Sequence, residues 1–367
     1  MSDLKYWVGF NRISGVGRAR FSQIESHFGT MERAWHAGPS EFKVAGLDAK
    51  SIEAIVAARP TISLDAEMEM LARHNVKVLT WSDPAFPPRL KEIYDVPPLL
   101  YVRGNLTTED EWAIAVVGTR LATVYGRDVT ERLVAELVQN RITVVSGLAR
   151  GIDSVAHRAA LEARGRTIAV LACGLDMVYP GENVKLAQAI MEQGALVSEY
   201  PIGTRPKAEH FPRRNRIMSG LCLGVVVTEA GESSGALITA NLALEQNREV
   251  FAIPGSIFSP ASRGTNRLIQ DGAKLVSSAQ DILEELNLTM IPRQLEMPEL
   301  VPADDTESLI LSHLRHEPVH IDEVCRLSRL PIATVSSTLA MMELKGMVRQ
   351  VGGMNYTLAL AAQSAVR

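Results

Sequence analysis

The sequence predicts an α/β protein built on a doubly wound parallel sheet, and three observations carry that expectation. Between about 113 and 286, short strand-like runs alternate with helical stretches of about 10–15 residues, the pattern of strand–helix–strand units. The strand-like runs are apolar throughout, Ala113-Ile-Ala-Val-Val117 most clearly, as strands covered on both faces are. Turns rich in glycine, serine and arginine follow one strand after another, where such sheets keep their ligand crevice.

Taken in order, residues 1 to about 75 read as an all-helical domain of SAM/helix-hairpin-helix-like type. Ile13-Ser-Gly15-Val-Gly17 followed by Arg18-Ala-Arg-Phe21 has the form of a hairpin loop whose glycines turn backbone amides outward at the next helix, a geometry suited to phosphate. Val44-Ala-Gly46-Leu-Asp48 is a degenerate copy. A plain helical turn needing small residues explains both loops equally well. Short strands are expected at Val76–Leu79 and Leu99–Val102, with proline-rich chain between them. The alternating region then gives a strand at 113–117, a helix at 125–140, a strand at 143–145, a helix at 153–164 and a strand at 167–171. It continues with a helix near 183–192, strands at 195–198 and 223–228, a helix at 236–246 and a strand at 249–252. With the preceding strands, 76–286 makes one extended sheet domain. Residues 287–303, carrying Pro292, Pro298 and Pro302, read as a linker. In 304–367 three helices at 307–314, 321–327 and 332–345, then a hairpin across Gly352-Gly353, make a winged helix.

Composition narrows the function classes. The 367 residues leave room for two or three domains. No apolar run reaches the roughly 18–20 residues of a membrane span, and the first ten residues, MSDLKYWVGF, lack the parts of a signal peptide. Cys173, Cys222 and Cys325 are odd in number, far apart and set among apolar neighbours, so they read as buried thiols, with neither disulfide nor metal site. A cytoplasmic protein without membrane contact is expected. The net charge of −4 argues against a nucleic-acid partner until its distribution is considered. Residues 281–308 hold eight acids against Arg293 alone, a net −7, which leaves +3 on the rest.

The strongest local charge lies at 203–217, where Arg205, Lys207, Arg213, Arg214 and Arg216 face one acid, Glu209, for a net +4. Pro201, Pro206 and Pro212 argue against a helix there, so the stretch reads as a basic loop over the ligand edge of the sheet. Phe211 stands among the cations, where its ring can stack on a base while guanidiniums hold phosphates. A solvated basic surface is the bland alternative.

The turns supply matching donors. Gly118-Thr119-Arg120 offers a backbone amide, a hydroxyl and a bidentate cation, and Ser146-Gly147 follows the next strand. Ser233, Ser234 and Gly235 open a helix and form a further anion site. No GxGxxG or GxxxxGK[ST] string occurs, so no cofactor or nucleoside triphosphate site is expected. Asp153 and His157, four residues apart on a helix, read as a structural pair, because no nucleophile is spaced to complete a triad. No catalytic residue is assigned. The converging donors fit a phosphodiester backbone better than a single nucleotide.

At this point the sequence resembles one family, the DNA-processing protein A (DprA, or Smf) family. The likeness is carried by SGLARGIDSVAH at 146–157, TIAVLACGLDMVYP at 167–180, FPRRNRIMSG at 211–220, EAGESSGALITANLALEQNREVFAIPG at 229–255 and the Gly264–Gly272 segment. It is dense over about 113–275. The resemblance implies a Rossmann-like domain that forms homodimers, binds single-stranded DNA without sequence preference and loads the RecA recombinase onto it in natural transformation. It assigns phosphate contacts to Gly118, Thr119, Arg120, Ser146, Gly147, Arg213, Arg214 and Arg216, within the FPRRNR string that also holds Asn215, and to Lys207. Phe211 takes base stacking, and Ser234 and Gly235 join the same groove.

Two rival readings remain. The wider superfamily holds nucleotide phosphoribohydrolases with a GGxGTxxE turn, but matching its last glycine to Gly235 puts Thr239 where the catalytic glutamate belongs. A winged-helix duplex regulator is the other, yet residues 331–345 offer only Lys345 as a cation, where duplex readers carry several basic or amide side chains.

Overall fold

The computed structural model describes residues 3–288, 305–314, 318–345 and 347–358. From residue 289 onward the expected linker lies outside the described residues. The chain divides into two compact units, Met1–Leu288 and Thr289–Arg367.

The first unit opens with six helices, α1 (Leu4–Asn11), α2 (Arg18–Phe28), α3 (Met31–His36), α4 (Pro39–Val44), α5 (Ala49–Ala58) and α6 (Leu64–Arg73). Gly15 and Gly46 both have φ of +87°, in the left-handed region that the two hairpin turns require. Aromatic packing closes this layer: Trp7 stacks on Phe21 with centroids 5.5 Å apart, and Phe10 meets Trp35 edge-on at 5.1 Å. The same core continues into Leu99, Tyr101 and Leu196 of the sheet, which is why helices and sheet form one unit. Asn11 donates to the Tyr101 hydroxyl and to the Glu199 carbonyl, both at 3.1 Å, and Arg12 donates to the Ile202 carbonyl at 2.7 Å.

The sheet follows as β1 (Lys77–Thr80), α7 (Pro88–Lys91), β2 (Leu99–Gly104), β3 (Ala113–Gly118), α8 (Val124–Gln139), β4 (Thr143–Ser146), α9 (Ile152–Glu162) and β5 (Thr167–Val170). Next come α10 (Val184–Gln193), β6 (Ala195–Ser198), α11 (His210–Leu221), β7 (Gly224–Glu229), α12 (Gly235–Glu245) and β8 (Glu249–Ala252). The unit ends with α13 (Arg263–Gln270), β9 (Lys274–Leu275) and α14 (Ala279–Glu285). Strand order is β1-β2-β6-β5-β4-β3-β7-β8-β9. From β6 to β9 neighbours run parallel, while β1–β2 and β2–β6 are antiparallel. The order turns at β3, with β4 on one side and β7 on the other, so a crevice opens beyond their carboxyl ends. Separate apolar cores cover the two faces, one holding α8, α9 and α14 side chains and the other those of α7, α11 and α12.

Three expectations change. The basic stretch is a loop only as far as Glu209; its second half is the helix α11. Pro212 is its third residue, in the first turn, where an amide has no intrahelical partner to lose. The sheet does not end at the strand expected at 249–252, since the helix α13 and a further strand, β9, follow it. Cys173 and Cys222 are buried free thiols as expected, but Cys325 is only half-buried.

The second unit holds α15 (Asp305–His313), β10 (Val319–His320), α16 (Ile321–Ser328), α17 (Ile332–Leu344), β11 (Val348–Gln350) and β12 (Asn355–Leu358). Ile310, Val324, Val335, Leu339 and Met342 form its core, and the strands pair in the order β10-β12-β11. This is the winged helix that the sequence predicts. Among the described residues no helix is long and apolar enough to cross a membrane, and no His, Cys, Asp and Glu cluster could hold a metal.

Candidate nucleic-acid interface

A cavity of about 790 Å³ lies beyond the carboxyl ends of β3 and β7, lined by parts of every turn that the sequence singled out except Ser146-Gly147. The β3 turn enters as Gly118, Thr119 and Arg120. The α11 side contributes Lys207, Phe211, Arg214 and Asn215, and the start of α12 contributes Ser233, Ser234 and Gly235.

Each side chain is held by a definable cause. A Cβ on Gly118 would lie 2.5 Å from Ile152 Cγ1, so glycine lets the start of α9 sit against the turn. Thr119 donates its amide to the Glu229 carbonyl at 2.7 Å, and its carbonyl accepts from Ile152 at 3.1 Å. The pinned turn pushes Arg120 into solvent, where its guanidinium lies 5.3 Å over the Phe211 ring. Phe211 leans in turn on Tyr179, centroids 5.7 Å apart. Tyr179, which closes the 167–180 string, thus backs the aromatic that is expected to meet a base. At α12, Ser234 is the N-cap, its hydroxyl accepting from the Ala236 amide at 3.4 Å, while Gly235 is exposed with open space around it. Gly235, Ala236 and Ile238, all in the first turn, line the cavity under the positive end of an 11-residue helix.

The basic stretch splits into two groups. Arg205, Lys207 and Arg213 are exposed and form no ion pair among the described residues. Arg214 and Arg216 are only 4% and 6% exposed, which departs from their expected placement as open phosphate contacts. Arg216 is paired with Asp95 at 2.9 Å and with Glu199, two carboxylates far off in sequence. Arg214 donates to the Gly147 carbonyl at 2.7 Å and to the Val170 carbonyl, and so ties β4 to β5 beneath the crevice. Its Nε has no partner and its side chain still borders the cavity. Burial holds the Arg214 guanidinium down at about 10, against a pull upward from Asp153. Asn215 is also buried, though it lines the cavity.

Ser146 and Gly147 likewise belong to the floor. The Ser146 hydroxyl donates to the Val116 carbonyl at 2.7 Å, and the Gly147 amide donates to Asp153 Oδ2 at 3.1 Å. A Cβ on Gly147 would meet the Arg214 guanidinium at 2.4 Å, so this glycine makes room for the arginine. Asp153 also accepts from the Ala149 amide at 3.3 Å. Burial raises its carboxyl above the ordinary range, with Arg214 and these amides pulling the other way. His157 does not pair with Asp153: its Nδ1 meets Thr167 Oγ1 at 2.7 Å, and burial lowers its pKa to about 3. Thr239, where a hydrolase would place its glutamate, lines the cavity with a hydroxyl.

Fold and site together define a doubly wound α/β protein with a cation- and amide-lined crevice, followed by a winged helix. The family model described as DNA recombination-mediator protein A matches residues 77–287, and that of the DprA winged helix domain matches 294–354. Protein Smf of Synechocystis sp. is 34% identical, covering 97% of this chain and 98% of its own length. Among solved structures, DNA processing protein A of Streptococcus pneumoniae aligns with a TM-score of 0.68 at 38% identity, covering 77% of this chain and 97% of that one. The counterpart from Helicobacter pylori, whose structure is described with a single-stranded DNA binding mode, gives 0.53 at 31%, covering 58% of this chain and 96% of its own. The chain belongs to the DNA-processing protein A (DprA/Smf) family.

Proposed function

We propose that the protein binds single-stranded DNA without sequence preference along this crevice and hands the strand to RecA, as in the processing of incoming DNA during natural transformation. The observation that carries the reading is Arg120 lying over Phe211 at the crevice mouth, a guanidinium and a ring placed together to take a phosphate and a base. Lys207 and Arg213 extend the cationic rim, and Thr119, Ser234 and Gly235 offer neutral donors opposite. Gly118 shapes the turn. Ser146, Gly147 and Arg216 serve from beneath, holding the floor and α11 in place, with Asn215 on the crevice side of α11. Arg214 joins them, its side chain bordering the crevice. None of these contacts reads a base edge, which fits sequence-independent binding. The names of the relatives, and the single-stranded DNA binding described for the Helicobacter pylori protein, support the same reading.

The protein acts as a binding and loading factor, working as a homodimer through its sheet domain and needing no cofactor. Asp153 with both amide partners, His157 turned to Thr167, and a hydroxyl at Thr239 leave the hydrolase reading without a placed base. The deciding experiment titrates oligo-dT and duplex of equal length with and without RecA. Tight binding to oligo-dT that weakens steeply with salt, and faster RecA filament formation, are expected. Equal affinity for duplex, or no effect on RecA, would sink the reading.

A further inference from the structure

Outside the crevice, the first unit repeats the same arrangement of guanidinium over ring. The Arg18 guanidinium lies 5.2 Å over the Tyr94 ring, against 5.3 Å for Arg120 over Phe211. Tyr94 is 88% exposed, so its other face is open to water. Arg18 forms no hydrogen bond or ion pair among the described residues, whereas its neighbours Arg12 and Arg20 are both engaged, with Glu67 and Asp48. Arg213 links the two places. It is two residues beyond Phe211 on α11, and its Nη2 comes within 4.0 Å of the Cβ position of Gly17, next to Arg18. Of the nearby carboxylates, Asp95 and Glu199 both pair with Arg216, and the Glu199 side chain is nine-tenths buried. The hydrogen bonds of Asn11 and Arg12 to the sheet fix this patch relative to the crevice.

Resting on the single-strand reading above, we infer that the strand leaves the crevice over the first turn of α11 and is held again at a second patch of Arg213, Arg18 and Tyr94. A base stacks on the open face of Tyr94, with its phosphates against the two guanidiniums. The hairpin turn at Gly15–Gly17 positions Arg18, and α2, which lacks a side-chain cap, adds amide donors beside it.

The test uses the full chain and two oligo-dT lengths, one of about six nucleotides that the crevice alone accommodates and one of about twenty. The double variant Arg18→Glu/Tyr94→Ala changes a half-buried and an exposed residue, both outside the crevice. With its unfolding midpoint unchanged, it is expected to weaken the longer oligonucleotide by about tenfold or more and to lower its salt slope by about 0.7, leaving the shorter one unchanged. Tyr94→Phe, which keeps the ring, should retain the longer strand's affinity. Unchanged affinity for the longer strand in the double variant would overturn the second patch, and so would equal weakening of both lengths. Should the unaltered protein bind neither length, the single-strand reading itself fails.

Discussion

The rim and the floor of the crevice are built from the same chemistry and do opposite things. Arg213, Arg214 and Arg216 lie within four residues, yet the first faces water while the other two are buried. Helix α11 adds a division that cuts across this one: 211, 214, 215 and 218 border the cavity, while 213 and 216 turn toward Gly17, Asp95 and Glu199. Buried guanidiniums spend their donors on carbonyls and carboxylates and so rigidify the frame. Exposed ones keep theirs for a ligand. A run of positive charge in sequence is therefore two populations, and only burial tells them apart.

The largest expected effect breaks the floor. Arg214→Ala removes the donor of the Gly147 and Val170 carbonyls and strips Asp153 of its nearby cation. Thermal or urea unfolding should report a loss of roughly 3 kcal/mol, since buried polar groups left without partners cost about that. Survival of this variant with unchanged stability would erase the distinction between floor and rim. At the rim, Arg120→Glu together with Lys207→Glu should leave the unfolding midpoint in place and abolish binding to oligo-dT. Phe211→Ala should weaken binding by roughly 1–3 kcal/mol with the salt slope unchanged, because it removes a stack and no phosphate contact. A fall in stability for either rim variant would move those residues to the floor.

The sheet was legible because strands covered on both faces leave uninterrupted apolar runs, as at Ala113–Val117, and the winged helix because three helical stretches are followed by a hairpin across Gly352-Gly353. Helix α11 was not, since Pro212 weighs against a helix until its first-turn position is known. Helix α13, RGTNRLIQ, was hidden by the glycine- and polar-rich residues that open it. Placing the cations failed for a different reason. The partners of Arg216 stand at Asp95 and Glu199, and those of Arg214 are backbone carbonyls at 147 and 170, so no local signal marks them. Gly147 carried a weak one, being a glycine after a strand that needs room for something.

A smaller effect sharpens the floor further. His157 is buried and neutral in the folded chain, its pKa lowered to about 3 from the ordinary histidine value of 6.5. Between those pH values the unfolded chain binds a proton that the folded chain refuses, so stability falls as pH drops from about 6.5 toward 3. The slope from this one group is about 1 kcal/mol per pH unit. His157→Gln should flatten that part of the stability–pH curve relative to the unaltered protein while leaving oligo-dT binding at about pH 7.5 intact. An unchanged slope would mean that His157 is not sealed from water.

The smallest effect extends the comparison to the second unit. Within 331–345 the one cation, Lys345, is tied to Glu307 at 2.5 Å, while Ile332 and Met341 are 57% and 52% exposed. An outward face of that kind has no rim: it offers apolar surface where a groove reader needs free guanidinium or amide groups. Removing residues 305–367 should therefore change oligo-dT affinity and its salt slope very little, since no phosphate contact is lost. Footprinting on duplex should find no sequence-specific protection to lose. A slope reduced by more than about 0.7 on truncation would assign at least one phosphate contact to the winged helix and overturn its separation from strand binding.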